Sequence, residues 1–97
     1  MRPVIFSPDA LLDLQDIGDY IAADNPERAL SFVGELHDVA ENITSAPGAY
    51  RAREDIAPGL RMALKGNYVI LFRVRQDRIE IARILHGARD LPRTFKD

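Results

Sequence analysis

His86 stands between two arginines near the end of the chain, in the segment Arg83-Ile-Leu-His-Gly-Ala-Arg89. An imidazole changes its charge near neutral pH, and guanidinium groups form paired hydrogen bonds with carboxylates and phosphates. This cluster could therefore hold an anion or transfer a proton. It could equally be the structural end of a strand, and the residues alone leave both alternatives open.

Other familiar catalytic and metal-binding patterns are missing from the sequence. It contains no phosphate-binding loop, no G-x-G-x-x-G, no H-E-x-x-H and no G-x-S-x-G. Because there is no cysteine, a disulfide, a thiolate zinc site and a cysteine nucleophile are excluded. His37 lies among acids and would make a poor metal site with the distant His86. We therefore predict no metal and no cofactor.

The charge of the chain is unevenly distributed. Residues 1–48 carry two arginines against nine acids, 2 − 9 = −7, whereas residues 49–97 carry eleven cations against six acids, 11 − 6 = +5. Such asymmetry suggests an anionic partner for the basic half. An acidic, solvated helical face next to a basic sheet would explain the same numbers.

Length and composition indicate one small globular domain, residues 1–97. The chain is 46% hydrophobic and 29% charged, which is ordinary for a soluble protein. It has no apolar run near the roughly 20 residues that span a bilayer, and its N-terminus lacks a secretion signal. We expect a cytoplasmic protein.

Two helices are predicted in the first half. Ser7-Pro8-Asp9 offers a capping hydroxyl, a proline for the first turn and an acid at the positive end of the helix dipole, and Asn25-Pro26-Glu27 repeats this chemistry. The short junction makes the helices antiparallel neighbours. Asp13, Asp16 and Asp19 lie off the apolar stripe of the first helix and are predicted to face solvent. The two apolar stripes are Ala10, Leu14, Ile17 and Ile21, then Ala29, Phe32, Val33, Leu36, Val39, Ala40 and Ile43.

Four strands are predicted around these helices, at residues 3–6, from Leu60, at 68–72 and from Arg78 to about Leu85. Residues 44–59, with two prolines and two glycines, predict a long connection that is either an ordinary crossover or functional. In the last strand, Arg83 shares the parity of its apolar neighbours. Either a bulge intervenes there or Arg83 is partly buried.

The register of the hairpin at Gly66-Asn67 decides which side chains share a face. A two-residue turn would put Arg61 on the face of Tyr68, Ile70 and Phe72. A three-residue turn that includes Lys65 instead puts Leu60, Met62 and Leu64 there. We favour the three-residue turn because it collects the bulkiest apolar groups under the helices. The opposite face would then be both cationic and apolar, with Arg61, Ala63, Val69, Leu71, Arg73 and Arg75.

The sequence motifs of the chain, and the order in which they occur, resemble the ParE branch of the RelE/ParE superfamily of bacterial toxins. The resemblance covers nearly the whole chain and is most specific in Arg83-Ile-Leu-His-Gly-Ala-Arg-Asp90. It also includes Asp13-Leu14-x-x-Ile17-x-x-Tyr20-Ile21, Asn25-Pro26-x-x-Ala29, Ala46-Pro47, Gly59-Leu60-Arg61 and Tyr68-Val-Ile-Leu-Phe-Arg-Val74.

The resemblance implies an α+β fold of order β-α-α-β-β-β, in which an antiparallel sheet packs against a helical hairpin, in agreement with the elements predicted above. It also implies a cognate antitoxin whose extended or helical tail wraps the toxin. ParE-type relatives poison DNA gyrase, whereas RelE-type relatives cut messenger RNA on the ribosome.

Residue chemistry favours the first of these two activities. RNA cleavage needs a base, an acid and cations around the transition state. Arg61, His86 and Arg89 could serve such a site. RelE-like nucleases, however, often carry an arginine, a second basic residue and a C-terminal tyrosine where this chain has Val69, Ala63 and Phe95. We therefore expect a gyrase-directed toxin that is not an enzyme, with a ribosome-dependent ribonuclease as the alternative.

A ParD-like antitoxin is the expected partner. We expect an acidic, amphipathic segment of it to cross the helical hairpin and the cationic and apolar face of the sheet, where its contacts would be Arg61, Val69, Leu71, Arg73, Arg75 and Arg83. Neither membrane binding nor sequence-specific nucleic-acid binding is expected.

Overall fold

A computed structural model describes residues 1–91 of the chain. The elements in chain order are β1 (Val4–Phe6), α1 (Pro8–Ala22), α2 (Pro26–Asn42), β2 (Arg51–Ala52), β3 (Arg61–Lys65), β4 (Tyr68–Val74) and β5 (Ile79–His86), with two short 3₁₀ turns, Ile43–Ser45 and Pro47–Ala49, after α2. Within residues 1–91, neither helix is long and apolar enough to cross a membrane. Phe95, named above, lies outside the described residues.

Both helices begin where the sequence predicts. The Ser7 hydroxyl accepts a hydrogen bond from the Ala10 N–H at 3.0 Å, and the Asn25 side-chain oxygen accepts one from the Arg28 N–H at 3.1 Å. Each bond satisfies one of the N–H groups that the first turn of a helix leaves unpaired. The predicted apolar stripes pack against the sheet in one core, which confirms the helical hairpin.

The fold class is confirmed as α+β, with two helices on a five-stranded sheet of order β1-β5-β4-β3-β2. The sheet is mixed rather than purely antiparallel, because β1 pairs with β5 in parallel. A parallel pair needs a crossover connection, and the helical hairpin with the later strands supplies it. The short strand β2 lies within the segment that the sequence predicts as a connection.

The predicted hairpin register is wrong by one residue. Lys65 pairs with Tyr68 across a two-residue turn, so Arg61 pairs with Phe72. Gly66 has φ +58°, and a two-residue turn of this kind needs a glycine with positive φ at its first position. Arg61 therefore lies on the same face as Phe72, where its Nη1 donates to the Tyr50 carbonyl at 2.7 Å.

The sheet is apolar on both faces, which is why choosing the register that gathers the bulkiest apolar side chains under the helices gave the wrong pairing. The larger core lies between the helices and one face, and it includes Ile70, Phe72 and Ile81. The opposite face has a smaller core of Leu60, Val69, Leu71 and Leu85, against which Ile56, Ala57, Met62, Ala82 and Leu91 pack. Since the chain covers both faces, gathering the largest side chains on one face was not the right criterion.

Candidate functional site

Arg83 is anchored to helix α1 by Asp13. Its Nε donates to Asp13 Oδ2 at 2.8 Å and its Nη2 donates to Oδ1 at 3.0 Å, in a bidentate pair. The Ile84 N–H also donates to Asp13 Oδ2, at 2.9 Å. The Asp13 side chain is only 11% exposed, so the prediction that it faces solvent is wrong. The hydrogen bonds to Asp13 raise the pKa of Arg83 above its ordinary value.

A β-bulge explains why Arg83 reaches the helix. Leu71 pairs with Arg83 but Phe72 pairs with Ile81, so Ala82 is the extra residue of β5. The bulge interrupts the ladder, and Ser7 compensates by donating its hydroxyl to the Ala82 carbonyl at 2.8 Å. Both alternatives raised from the sequence are thus realised, since the bulge is present and Arg83 is partly buried.

His86 sits at the start of a tight turn that ends at Asp90. Its N–H donates to Asp90 Oδ2 at 3.0 Å, and its Nδ1 accepts the Arg89 N–H at 3.2 Å. Arg89 Nε donates to Asp90 Oδ1 at 3.1 Å, and this bond, with that of the His86 N–H, lowers the pKa of Asp90. The imidazole packs edge-on to the Tyr68 ring, with 5.4 Å between ring centroids. The hydrogen bonds among His86, Arg89 and Asp90 therefore stabilise the turn itself.

A cleft of about 410 Å³ opens between α1 and this turn. Asp13, Asp16 and Tyr20 line it from the helix, and Arg83 and Arg89 line it from the end of the sheet. The Arg89 guanidinium lies over the Tyr20 ring, 5.4 Å from its centroid, an attractive cation–π contact. The cleft combines charges of both signs with an exposed aromatic ring, which suits contact with a protein surface.

The three residues considered for ribonuclease chemistry do not converge. His86 and Arg89 are together, but His86 pairs with Tyr68 whereas Arg61 pairs with Phe72. Four residues of strand separate those positions, which is about 13 Å. In addition, β3 and β5 lie on opposite sides of β4, and Arg61 Nη1 is engaged by the Tyr50 carbonyl, so this arrangement does not gather the three groups around one phosphate.

The predicted partner-binding surface is only partly available. Val69 is 6% exposed and Leu71 is 0% exposed, because residues 53–60 and Leu91 cover them. The expectation that these two side chains form an open apolar surface is therefore wrong. Within residues 53–60 the Gly59 N–H donates to Glu54 Oε2 at 2.9 Å, which stabilises the shape of this segment.

The arginines predicted for the same surface do not all share one face, since Arg61 lies on the helix-covered face with Phe72, and they differ in their internal partners. Arg75 forms an ion pair with Glu80 at 3.1 Å, and Arg83 is paired with Asp13 as described. Arg73 Nε donates to the Pro58 carbonyl at 3.1 Å, while Arg61 donates to the Tyr50 carbonyl. Within residues 1–91, Arg61 and Arg73 thus keep a positive charge that no carboxylate neutralises.

A second surface, which the sequence did not reveal, is an apolar groove along the helical hairpin. It encloses about 660 Å³, and its lining residues Leu11 and Leu30 are 52% and 81% exposed. The remaining lining is mostly small or apolar: Leu14, Gln15, Gly18, Asp19, Ala22, Pro26, Ala29, Val33 and His37. In the sequence, Leu11 and Leu30 lie just outside the two apolar stripes, and their position there is the feature that could have indicated this groove.

Comparison with known proteins assigns the family. Residues 4–91 match the model of the ParE toxin of type II toxin–antitoxin systems, parDE. The fold is similar to that of a chain of the chromosomal ParDE toxin–antitoxin system from P. aeruginosa, with a TM-score of 0.78, 25% identity and coverage of 89% of this chain and 96% of that one.

A second solved structure shares the fold at lower similarity. It is a chain of the toxin–antitoxin complex RelBE2 from Mycobacterium tuberculosis, with a TM-score of 0.64, 22% identity and coverage of 88% of this chain and 96% of that one. No curated protein sequence matches significantly. The match over residues 4–91 shows that the chain belongs to the ParE toxin family of type II toxin–antitoxin systems.

Proposed function

We propose that this ParE-family toxin inhibits DNA gyrase by binding it, and that a cognate ParD-like antitoxin neutralises it. The family match supports this proposal, and so does the arrangement of His86 and Arg89. Both residues are engaged in the turn that ends at Asp90, and Arg61 lies about 13 Å away along the sheet. Because gyrase acts on the bacterial chromosome, the toxin would work in the cytoplasm.

A ribosome-dependent ribonuclease is not favoured. Such an enzyme needs a proton acceptor, a proton donor and cations at one phosphate. Here the Nδ1 of His86 accepts a backbone N–H, and Arg89 is directed toward Asp90 and Tyr20. The similarity to the RelBE2 structure, at 22% identity, shows a shared fold and does not indicate ribonuclease activity in this chain.

The antitoxin is proposed to cover both the helical hairpin and the basic part of the sheet. The groove offers exposed leucine side chains, whose burial is favourable by about 25 cal/mol per Å². Arg73, on the second face of the sheet, and Arg61, on the helix-covered face next to Phe72, remain candidates for contact with acidic side chains at two separate places, since no carboxylate within residues 1–91 pairs with either. Val69 and Leu71 are no longer part of this proposal.

The test is a gyrase assay with purified toxin beside a translation assay. The toxin should inhibit supercoiling or accumulate cleaved DNA, and addition of the purified antitoxin should reverse the effect. Messenger RNA on translating ribosomes should stay intact. Unaffected gyrase from the same host, or toxin-dependent cuts in messenger RNA, would overturn the proposal.

A further inference from the structure

We propose that a hollow beside Tyr20 binds an arginine side chain of the protein that this toxin inhibits. The hollow lies where α1 ends and α2 begins, encloses about 500 Å³, and is lined by Tyr20, Ile21, Asp24, Asn25 and Arg28. The inference rests on the proposed function, because it takes the inhibited target to be the source of the arginine. It adds a contact surface and its chemistry to that proposal.

The Tyr20 ring forms one wall of this hollow and is held in place from its other side. Tyr20 is 67% exposed, although it is a large aromatic residue. The Arg89 guanidinium covers one face of the ring from the neighbouring cleft, 5.4 Å from the ring centroid. Since Arg89 does not line the hollow, the other face of the ring is the one that borders it. An exposed aromatic side chain in a fixed orientation is typical of an anchor residue in a protein interface.

The carboxylate of Asp24 supplies negative charge at the same place. Asp24 follows Tyr20 by four residues, is exposed, and has a side chain that forms neither an ion pair nor a hydrogen bond within residues 1–91. Helix α1 ends at Ala22, and its last turn carries no basic residue. The negative end of the helix dipole therefore lies at the hollow without an internal cation, and it favours a positive charge there as Asp24 does.

Arg28, the basic residue that lines the hollow, is directed toward α2. It forms an ion pair with Glu35 and packs over the Phe32 ring, 5.1 Å from the ring centroid. The hydrogen bonds from Arg28 and Lys65 lower the pKa of Glu35 below its ordinary value. The charge of Arg28 is thus compensated whereas that of Asp24 is not, so the hollow attracts a cation.

Arginine matches these features better than lysine does. Its planar guanidinium can stack on an aromatic ring while its N–H groups donate to a carboxylate at the edge of that ring. Arg28 and Arg89 already pack on aromatic rings in this way, and each also donates to a carboxylate. A neutral side chain would gain neither the ion pair nor the cation–π contact, and an acidic one would be repelled by Asp24.

The hollow lies away from the apolar groove that is proposed for the antitoxin. Gly18 and Ala22 line that groove and stand two positions from Tyr20 in α1, which places each of them about 160° around the helix from it. An antitoxin in the groove would leave the Tyr20 ring open, and its bulk would still exclude a protein target from the adjacent surface. The target is therefore the better source of the arginine.

The test uses two small probes, N-acetyl-arginine amide and N-acetyl-citrulline amide. Citrulline keeps the planar end group but carries no charge, so the pair isolates the effect of the charge. Each probe is titrated into the isotope-labelled, full-length toxin at low salt, and NMR follows the amide signals of residues 20–25. The arginine probe should bind about tenfold more tightly, and this preference should shrink at high salt. Equal binding, or signal changes confined to other parts of the chain, would overturn the inference.

Variants locate the site and separate its two contacts. Tyr20→Leu removes the ring and Asp24→Asn removes the carboxylate, and each should weaken binding of the arginine probe about threefold. The control Asp38→Asn removes another exposed carboxylate, on α2, that forms no ion pair within residues 1–91, and it should leave the affinity unchanged. An equal loss of affinity in Asp24→Asn and Asp38→Asn would contradict recognition at the hollow.

The same probe and a charge reversal distinguish two other sources of the arginine. Toxin saturated with antitoxin should still bind the arginine probe, and loss of that binding would assign the arginine to the antitoxin and overturn the choice of the target. In sedimentation, the toxin alone should form no dimer that Asp24→Lys disrupts. Such a dimer would assign the arginine to a second copy of this chain and would equally overturn the proposal.

Gyrase assays connect the hollow with inhibition. Asp24→Lys should raise the toxin concentration needed for half-inhibition about tenfold and leave the affinity for the antitoxin unchanged. Unchanged inhibition would overturn the assignment of the arginine to the target. The probe titrations do not depend on gyrase. A toxin that binds the arginine probe but leaves gyrase unaffected would therefore refute the proposed target and leave the arginine site standing.

Discussion

Replacing Asp13 by alanine removes the carboxylate that connects helix α1 to the last strand. Asp13 accepts three hydrogen bonds, two from the Arg83 guanidinium and one from the Ile84 N–H. The Arg83 side chain is 29% exposed, so its charge can turn toward water after the substitution. The Ile84 N–H is fixed in β5 and would lose its partner, which costs about 1–3 kcal/mol.

Together these losses predict a decrease of about 3 kcal/mol in the free energy of unfolding. For a domain of this size that corresponds to a fall in Tm of roughly 12–24 °C. Thermal unfolding followed by circular dichroism measures it directly. Asp16→Ala is the matched control, because Asp16 lies one turn along α1 and forms no ion pair within residues 1–91, and it should change stability by about 0.5 kcal/mol or less.

A double substitution separates the ion pair from the backbone contact. Asp13→Ala combined with Arg83→Met removes the unpartnered guanidinium but still leaves the Ile84 N–H without its acceptor. Because the Arg83 charge can turn toward water in Asp13→Ala, the double variant should be about as stable as Asp13→Ala alone, and both should be less stable than the original chain. If Asp13→Ala destabilises no more than Asp16→Ala, the claim that this carboxylate holds helix and sheet together is refuted.

Three further predictions concern the surface and the terminal turn. Gly34→Ala should raise the free energy of unfolding by about 0.5–1 kcal/mol in denaturant titrations, because alanine favours the helix and, within residues 1–91, the added methyl group meets no atom within 4 Å apart from the neighbouring residues and backbone of its own helix; a loss of stability would contradict this. Arg73→Glu should weaken antitoxin binding more than Arg75→Glu, because Arg75 is already paired with Glu80, and calorimetric titration that ranks them in reverse would move the interface elsewhere. The pKa of Asp90 is lowered in the fold, so its stabilising contribution is present near neutral pH and lost as the carboxylate is protonated below about pH 4. The stability difference between the original chain and Asp90→Asn, about 1 kcal/mol at pH 7, should therefore narrow by pH 3 in thermal scans, and a constant difference would exclude this linkage.

The sequence predicted the elements whose signals are local. The caps at Ser7 and Asn25 and the apolar periodicity placed both helices, and the order of elements gave the α+β class. These signals depend on spacing within one segment, so they need no knowledge of what packs against it. The fold resemblance pointed to the same arrangement, and the ParE family match confirmed it.

The predictions that are wrong or missing concern contacts between segments that are distant in the sequence. The predicted hairpin register is wrong because residues 53–60 bury Leu71 on the second face of the sheet, and no local sequence pattern indicates that contact. Asp13 was placed in solvent because helical periodicity shows which face a residue lies on, but not that a bulge would bring Arg83 to it. The groove was missed for the same reason, since Leu11 and Leu30 meet only when α1 and α2 pack side by side.

We propose that this toxin acts by binding another macromolecule and not by breaking bonds in RNA. The most direct measurement is supercoiling by purified gyrase from the host, titrated with the toxin and then with its antitoxin. Inhibition should rise with toxin concentration and should be reversed by the antitoxin. Full supercoiling activity at every toxin concentration would contradict it.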